Sequence, residues 1–312
     1  MDVAVTGASG FIGSNMVRFL AEQGHNVLAI DRKEPRELTR RAAWSKAHGT
    51  QVVCLQHAKP DLSGIQVVYH FAADMGGVGY FHAHDFWPYI ANSRIDMNVL
   101  EAMADAQVYR GFVAASACIY PTEIQMEPGR APLLREEQAE TGQPDQMYGR
   151  GKLMLLRLAE RAPVDVRVGI LHTVYGVGQE RQGERMKFPT AIATKALKAR
   201  ETGTLEVWGD GQQLRSFLWI DDALAKIRAL TMAHKNIGPT NIGYQGAVSV
   251  AEVTALCCEL VGVKPQITYT TDKPSGVLSR DCDNAKFWNH YGRMEPTDYR
   301  RGFTRLIEWL ED

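Results

Sequence analysis

The stretch Gly7-Ala8-Ser9-Gly10-Phe11-Ile12-Gly13 decides the fold of this 312-residue chain. It follows the apolar run Val3-Ala4-Val5 and opens an amphipathic segment at 13–23, so the glycines stand at a strand-to-helix turn. Glycines in that position bring backbone N–H groups close to a pyrophosphate at the helix N-terminus. Asp31 ends the next apolar run, where a carboxylate accepts from ribose hydroxyls. We therefore predict a dinucleotide site that includes Gly7, Gly10, Phe11, Ile12, Gly13 and Asp31.

The identity of the dinucleotide follows from Asp31, whose carboxylate would repel a 2′-phosphate and so favours NAD. Arg32 beside it would tolerate that phosphate, which keeps NADP open. Asp61 and Leu62 lie where such sites often hold adenine. Ala72, after the fourth apolar run, is expected to line the same site.

The first half of the chain alternates strands and helices. Strands are predicted at 3–5, 26–30, 51–55, 67–71, up to 116, and at 165–171, and helices at 13–23, 90–106 and 148–161. Alternation of this kind requires a parallel sheet with helices on both faces. The predicted fold class is α/β, a Rossmann-type doubly wound parallel sheet.

The second half mixes short elements, glycine and proline from 172 to 211. Asp221 and Asp222 are predicted to cap a helix at 223–232, and Ser249 another at 250–260. Residues 240–243 read as a last core strand, and 303–310 as a short amphipathic helix. These patterns predict an NAD-binding domain of 1–171 plus about 213–245. An interleaved, smaller substrate-binding domain would take about 172–212 plus 246–312.

Composition excludes several classes of function. The net charge is −1 and no basic run stands out, which argues against a nucleic-acid partner. No apolar segment approaches the ~18 residues of a membrane span. The first residues enter a strand at once, so we expect no signal peptide. The five cysteines are irregularly spaced and predict neither disulfides nor a metal site. We expect a reduced, cytoplasmic protein without a metal.

Ser116, Tyr148 and Lys152 form the predicted proton-handling set. Ser116 ends the fifth strand, and Tyr148 and Lys152 lie one helical turn apart on the next long helix. A lysine and an oxidised nicotinamide favour the tyrosinate, so the phenol pKa is expected below its reference of ~10. Tyr148 would then take a hydroxyl proton while hydride leaves for the cofactor.

These motifs together resemble the extended short-chain dehydrogenase/reductase family and, within it, the GDP-mannose 3,5-epimerases. The resemblance covers nearly the whole chain. Its most specific stretches are 72–77 (Ala-Ala-Asp-Met-Gly-Gly), 115–121 (Ala-Ser-Ala-Cys-Ile-Tyr-Pro), Tyr148-Gly149 with Lys152, and Trp208 through Phe217.

The resemblance implies roles for further residues. Cys118 and Lys187 match the epimerising acid/base pair, and Cys118 stands where related 4,6-dehydratases carry the glutamate that acts on C5. Arg215 and Arg280 match the arginines that hold the diphosphate. The implied substrate site comprises Met75, Gly76, Gly77, Val78, Ser116, Cys118, His172, Lys187, Trp208, Arg215 and Arg280.

The implied activity is epimerisation of a nucleotide-linked hexose, with GDP-D-mannose as substrate, by a homodimer whose interface uses helices 90–106 and 148–161. The chain departs from the family at Thr173 and Val177, where the family has Asn and Pro. Two alternatives stay open. One is a 4-epimerase or dehydratase on a UDP- or dTDP-sugar, and the other is an NAD-sensing regulator, against which the intact Tyr148 and Lys152 argue.

Overall fold

The computed structural model describes residues 1–35, 37–144, 146–273 and 276–312. Within these ranges the strands are β1 (Asp2–Thr6), β2 (Asn26–Asp31), β3 (Gly49–Val52), β4 (Val67–His70), β5 (Arg110–Ser116), β6 (Leu133–Leu134), β7 (Val166–Leu171), β8 (Thr173–Tyr175), β9 (Thr204–Trp208), β10 (Leu214–Arg215), β11 (Phe217–Trp219), β12 (Thr240–Ile242), β13 (Val248–Ser249), β14 (Gln266–Thr270) and β15 (Ser279–Cys282). The α-helices are α1 (Phe11–Glu22), α2 (Leu38–Trp44), α3 (Val78–Ala83), α4 (Phe86–Asp105), α5 (Gln146–Arg161), α6 (Phe188–Thr202), α7 (Ile220–Met232), α8 (Val250–Val261), α9 (Ala285–Tyr291) and α10 (Tyr299–Glu311).

Seven parallel strands form the central sheet in the order β12-β7-β5-β4-β1-β2-β3. The chain starts at β1, runs outward through β2 and β3, and returns to β4 on the other side of β1. Such a reversal opens a crevice at the carboxyl ends of the two strands beside it. The predicted doubly wound α/β fold is confirmed.

Helices cover both faces of this sheet because its central strands are apolar on both sides. On β1, Val3 packs into one core, which includes Met16 of α1. The next residue, Ala4, points to the opposite core, which includes Val99 of α4 and Leu155 of α5. Successive side chains of a strand alternate between faces, so each core receives every second residue.

The third strand lies earlier than predicted. β3 pairs with β2 from Gly49 to Val52, whereas the apolar run suggested 51–55. The strand can extend only as far as its partner, and β2 ends at Asp31, which pairs with Val52. The residues that follow, from Val53 to Leu55, leave the ladder and line a cavity.

The segment 172–211 contains a helix of 15 residues, α6, where short elements were expected. Its buried side is built from Ile192, Ala193, Ala196 and Ala199. Alanine favours helix strongly but adds little to an apolar pattern, so the sequence signal was weak.

The two predicted helix caps of the second half have different outcomes. Ser249 caps α8 and exchanges hydrogen bonds with Glu252, as predicted. Asp221 and Asp222 do not cap α7, because that helix already begins at Ile220 and Trp219 is its N-cap residue. Both acids lie in the first turn instead, where they suit the positive end of the helix dipole.

Three smaller sheets accompany the central one. A four-stranded sheet has the order β13-β10-β15-β6, and β11 pairs with β8 and β14 with β9. The segment 123–143 supplies β6 to the four-stranded sheet, so part of it is anchored to β15. Across the described ranges, no helix has the length and apolar character needed to cross a membrane.

Candidate active site

The glycine-rich turn between β1 and α1 leaves backbone amides open at the start of the helix. Gly7 has a φ of +69°, and a Cβ there would lie 2.6 Å from the backbone nitrogen of Ala72. Gly10 is the N-cap of α1 and makes no side-chain cap, while Gly13 packs against Gly7. Phe11 and Ile12 pack toward the core, so this turn offers backbone N–H groups to an anion.

A cavity of about 520 Å³ extends from this turn along the carboxyl ends of β1, β2 and β4. Asp31 lies in its wall, where its two oxygens accept from the backbone nitrogens of Ser9 (3.0 Å) and Arg32 (2.7 Å). A carboxylate oxygen accepts more than one hydrogen bond, so both can still receive a ribose hydroxyl. Open amides at one end and a fixed carboxylate at the other fit a dinucleotide.

The predicted adenine contacts at Asp61 and Leu62 do not line this cavity. Leu62 is buried in the core, and the exposed Asp61 accepts from Ser63. Cys54 and Leu55, which lie just after the end of β3, line it instead. Their position at a strand end was the signal that the sequence offered, and the early end of β3 hid it.

The fifth strand ends at Ser116 and continues into a single 3-10 turn, Ala117–Ile119. The Ser116 hydroxyl accepts from the backbone nitrogen of Cys118 at 3.3 Å, and Ser116 lies close enough to Tyr148 to lower the pKa of the phenol. The turn thus presents Ser116 and the half-buried Cys118 on one side of the Tyr148 ring.

Helix α5 is pressed against this turn at Gly149. A Cβ on Gly149 would lie 2.1 Å from the Cys118 carbonyl oxygen, a separation that no side chain tolerates. The glycine therefore sets how closely Tyr148 approaches Cys118. Phe81 of α3 stacks on the other side of Tyr148, with ring centroids 4.6 Å apart.

Tyr148 is buried, and in the protein without cofactor its pKa is raised. Burial raises the pKa of Tyr148, the charges of Cys118 and Asp96 raise it further, and the interaction with Ser116 opposes them. The ammonium of Lys152 is hydrogen-bonded to Asp96 at 3.4 and 3.5 Å. The protein alone therefore holds Tyr148 protonated, and the positive nicotinamide of the prediction is needed to favour the tyrosinate.

Cys118 has two cationic side chains beside it. Lys187 is the N-cap residue of α6; burial lowers the pKa of its amine, and the nearby Cys118 acts in the opposite direction. An Arg280 guanidinium nitrogen lies 3.6 Å from the Cys118 sulfur, and its Nε donates to Gln125 at 2.6 Å. A thiol, an amine and a guanidinium thus meet beside Tyr148.

The glycine-rich segment Asp74–Tyr80 is tied to the segment that carries Lys187. Arg185 pairs with the Asp74 carboxylate, donates to the Met75 carbonyl at 2.9 Å, and donates to the Tyr80 hydroxyl at 2.8 Å. Met75 packs with Cys118 around Tyr148, while Gly76, Gly77 and Val78 continue the segment into α3. The predicted substrate loop therefore lies over the reactive side chains.

The remaining predicted substrate residues are spread more widely. Arg215 and Arg280 are register partners on β10 and β15, and Arg215 donates to the carbonyls of Val277 and Leu278. Trp208 is 41% exposed and lies beside Gly79. His172 is buried behind the site with Asn241 at 3.0 Å, and burial lowers its pKa to about 3.

A nucleotide fold with a serine, tyrosine and lysine at its centre calls for a comparison with known enzymes. Residues 3–243 match the model of the NAD dependent epimerase/dehydratase family. The chain belongs to this family.

Relatives within and near the epimerase/dehydratase family align over almost all of the chain. It is 31% identical to GDP-mannose 3,5-epimerase 1 of Oryza sativa subsp. japonica, covering 99% of this chain and 82% of the relative. It is 30% identical to GDP-mannose 3,5-epimerase of Arabidopsis thaliana, covering 100% and 82%. The solved structure of MoeE5 with UDP-glucuronic acid and NAD is 29% identical, with a TM-score of 0.79 over 100% of this chain and 99% of that one.

Three polar residues around this epimerase/dehydratase site were missed by sequence reasoning. Asp96 looks like a solvated helix residue, yet it is 3% exposed and contacts Lys152. His70 reads as a strand residue, and Arg185 as one charge among several. Only the packing of α4 and of segment 183–187 onto the sheet brings these side chains to the site.

Proposed function

We propose that this protein is an NAD-dependent epimerase of nucleotide sugars that inverts GDP-D-mannose at C3 and C5. The observation that carries the proposal is the pairing of Cys118 and Lys187 beside Ser116, Tyr148 and Lys152. Two relatives of about one-third identity bear the name of this activity. A thiol facing an amine has no task in hydride transfer alone, whereas epimerisation needs one group that removes a proton and another that returns one.

The cofactor would be held by residues at the ends of four strands, β1 to β4. The backbone amides in the first turn of α1, which begins at Phe11, suit the pyrophosphate, and Asp31 suits the ribose. Leu55 and Ala72 would form part of the cavity wall. When bound, NAD supplies a hydride acceptor and donor for C4 of the sugar. Because it ends each cycle unchanged, turnover requires no added oxidant.

Tyr148 on the one hand, and Cys118 with Lys187 on the other, would carry out different proton transfers. Tyr148, close to Ser116, takes up the proton of the C4 hydroxyl as that carbon becomes a ketone. The ketone makes the hydrogens on C3 and C5 acidic, because the carbanions are stabilised as enolates. Cys118 and Lys187 act from opposite faces: one removes the proton from the carbon, and the other donates a proton to its other side. A lowered pKa lets Lys187 act near neutral pH.

The substrate would lie between this site and the four-stranded sheet. Arg215 and Arg280 stand side by side there, as a diphosphate clamp requires. The loop Met75–Val78 and Trp208 would cover the sugar. We assign His172 to the wall behind the sugar, since it is buried. Inversion at both carbons gives GDP-L-galactose, and inversion at C5 alone gives GDP-L-gulose.

The test measures how much deuterium from the solvent is incorporated into the sugar. Cys118→Ala should abolish deuterium incorporation at C5 from deuterated water while NAD binding, measured by calorimetry, stays at the wild-type level. Lys198→Met, at an exposed lysine on α6, is the control for Lys187→Met. Persistent exchange at C5 in Cys118→Ala would show that the role assigned to Cys118 is wrong.

A second candidate is a 4-epimerase or dehydratase that acts on a UDP- or dTDP-sugar. The MoeE5 complex with UDP-glucuronic acid, 29% identical over the full chain, favours it. This reaction needs Ser116, Tyr148 and Lys152 but not Lys187. Unchanged turnover of a UDP-sugar by Lys187→Ala would therefore support it over the first.

Three features of the whole protein are proposed with the activity. A homodimer is supported by the exposed apolar side chains of α4 and α5, among them Met97, Met154 and Leu158. A cytoplasmic location is supported by the five cysteines, which are all unpaired. The NAD-binding domain would take 1–171 and return after Arg215, because β10 pairs with β15 whereas β12 joins the central sheet.

A further inference from the structure

Four buried polar side chains form a continuous row beneath the proposed cofactor site. Thr6, His70, Asp96 and Lys152 are each between 0% and 4% exposed. Thr6 Oγ1 lies 2.7 Å from His70 Nδ1, His70 Nε2 lies 3.0 Å from Asp96 Oδ1, and the Lys152 amine lies 3.4 Å from the same oxygen. The proposed reaction uses only the last member of this row.

The hydrogen-bond partners assign every proton in the row. An ionised Asp96 can only accept, so Lys152 and the Nε2–H of His70 both donate to it. His70 Nδ1 is then an acceptor and receives the Thr6 hydroxyl proton, and Thr6 Oγ1 in turn accepts from the backbone nitrogen of Ala72 at 3.4 Å. Burial lowers the pKa of His70, which agrees with the neutral ring that this assignment needs. A doubly protonated His70 would instead donate to Thr6, but burial disfavours that charged form.

The row joins two parts of the site that lie on different elements. Thr6 ends β1 immediately before Gly7, and Ala72 lines the cofactor cavity. Lys152 lies one helical turn after Tyr148 on α5. Asp96, on α4, is the member that connects the strand side to the helix side.

We propose that Asp96 is a positioning residue that holds Lys152 in place and sets the pH range in which Tyr148 acts as the base. This inference rests on the proposed function of Tyr148. A carboxylate 3.4 Å from the ammonium fixes the lysine and cancels much of its charge as felt at the phenol. Asp96 therefore disfavours the tyrosinate form of Tyr148, and the positive charge of the nicotinamide must outweigh this effect.

The charged and titratable groups facing this pair come from several elements. His70 faces Asp96 from β4, and Cys118 and Ser116 face Tyr148 from the end of β5. Lys187 and Arg280 face Cys118 from α6 and β15. Within this set the repulsion that raises the pKa of Tyr148 comes first from Cys118 and then from Asp96. Cys118 stays in place in the experiment below, so a change at Asp96 can be separated from it.

The experiment titrates Tyr148 without relying on turnover. Ultraviolet difference absorbance of tyrosinate is followed against pH with NAD⁺ bound, and subtraction of the Tyr148→Phe titration isolates Tyr148. Asp96→Asn should move this transition to lower pH by about one unit, the size expected from removing a nearby buried charge. Asp96→Glu, which keeps the charge, should restore most of the wild-type value. Asp105→Asn, on the same helix but in a surface pair with Lys59, should leave it unmoved.

The outcomes separate this inference from the proposed function. If the Tyr148 transition of Asp96→Asn lies at the same pH as in the wild type, the role of Asp96 is overturned and Tyr148 remains the proposed base. A titration in which Tyr148→Phe removes no transition overturns both. If Asp96→Asn does not fold, Asp96→Ser keeps a hydroxyl acceptor for Lys152 and carries the same expected shift. The low-pH limb of kcat/KM for GDP-mannose should move with the transition, because a structural defect would lower the rate without shifting this limb.

Discussion

At the residue scale, we expect the Lys187 amine to lower the free energy of unfolding while it takes part in the proposed epimerisation. Burial lowers the pKa of its amine, so the unfolded chain binds this proton more readily than the folded protein does. The charged amine therefore opposes folding below the ordinary lysine pKa, and this penalty disappears as the pH rises past it. We expect Lys187→Met to raise the free energy of unfolding at pH 7 by about 1 kcal/mol, a usual gain from one stabilising substitution, while it abolishes epimerisation.

Chemical denaturation at two pH values measures this effect. The gain in unfolding free energy from Lys187→Met should shrink as the pH approaches the pKa of free lysine. Lys198→Met should change neither stability nor activity strongly, because Lys198 is exposed on the same helix. A loss of stability in Lys187→Met at pH 7 would contradict the account of a penalised amine.

Sequence reasoning reached the residues that belong to local motifs. Ser116, Tyr148 and Lys152 were predicted from their spacing and Cys118 from the family resemblance, and the structure brings all four together. Asp96 was not predicted, since its role depends on α4 packing across the sheet toward Lys152. The raised pKa of Tyr148 in the protein without cofactor was not predicted either, because a local motif does not reveal its burial or the nearby Asp96 carboxylate.

At the element scale, the contact of α5 with the Cys118 turn fixes the geometry of the site. Gly149→Ala would place a methyl group against the Cys118 carbonyl, so the helix or the turn has to move. Overpacking of this kind costs about 1–3 kcal/mol of stability. A displacement near 1 Å between Tyr148 and Cys118 should lower kcat by about 100-fold.

The same helix provides a matched control at Gly151. A Cβ there meets only the Tyr89 ring, at 3.3 Å, which a small rotation relieves. Gly151→Ala should therefore keep its activity and gain up to about 1 kcal/mol from helix propensity. Thermal unfolding and steady-state kinetics of both variants test the contact, and equal behaviour would show that the approach at Gly149 does not matter.

Elements were predicted best where their apolar pattern is strong. β1, β5, β7 and α5 lie within a few residues of their predicted positions, because buried strands and an amphipathic helix leave clear periods. α6 was missed because alanine forms half of its buried face, and β3 was shifted because its end is set by its partner strand. Both errors concern tertiary context that a local pattern does not contain.

At the scale of the whole molecule, the outer faces of α4 and α5 bear on assembly. Met97, Met154 and Leu158 expose between 37% and 51% of their surface. Several exposed apolar side chains on neighbouring helices are unfavourable in water and typical of a protein–protein interface. We expect a dimer in sedimentation equilibrium, and Met154→Glu should weaken it by about 100-fold or more, because a lone carboxylate would be buried in the contact. Met126→Glu, at an exposed methionine away from both helices, should leave the dimer intact.

The most direct measurement of the central claim is proton NMR of GDP-mannose with the purified protein in deuterated water, without added cofactor. We expect deuterium at C3 and C5 and new galactose or gulose signals, since Cys118 and Lys187 would exchange carbon-bound protons with solvent and NAD bound to the purified protein would not be consumed. A sugar that keeps its hydrogen at both carbons, with protein shown to hold NAD, would contradict the claim that this site epimerises GDP-mannose.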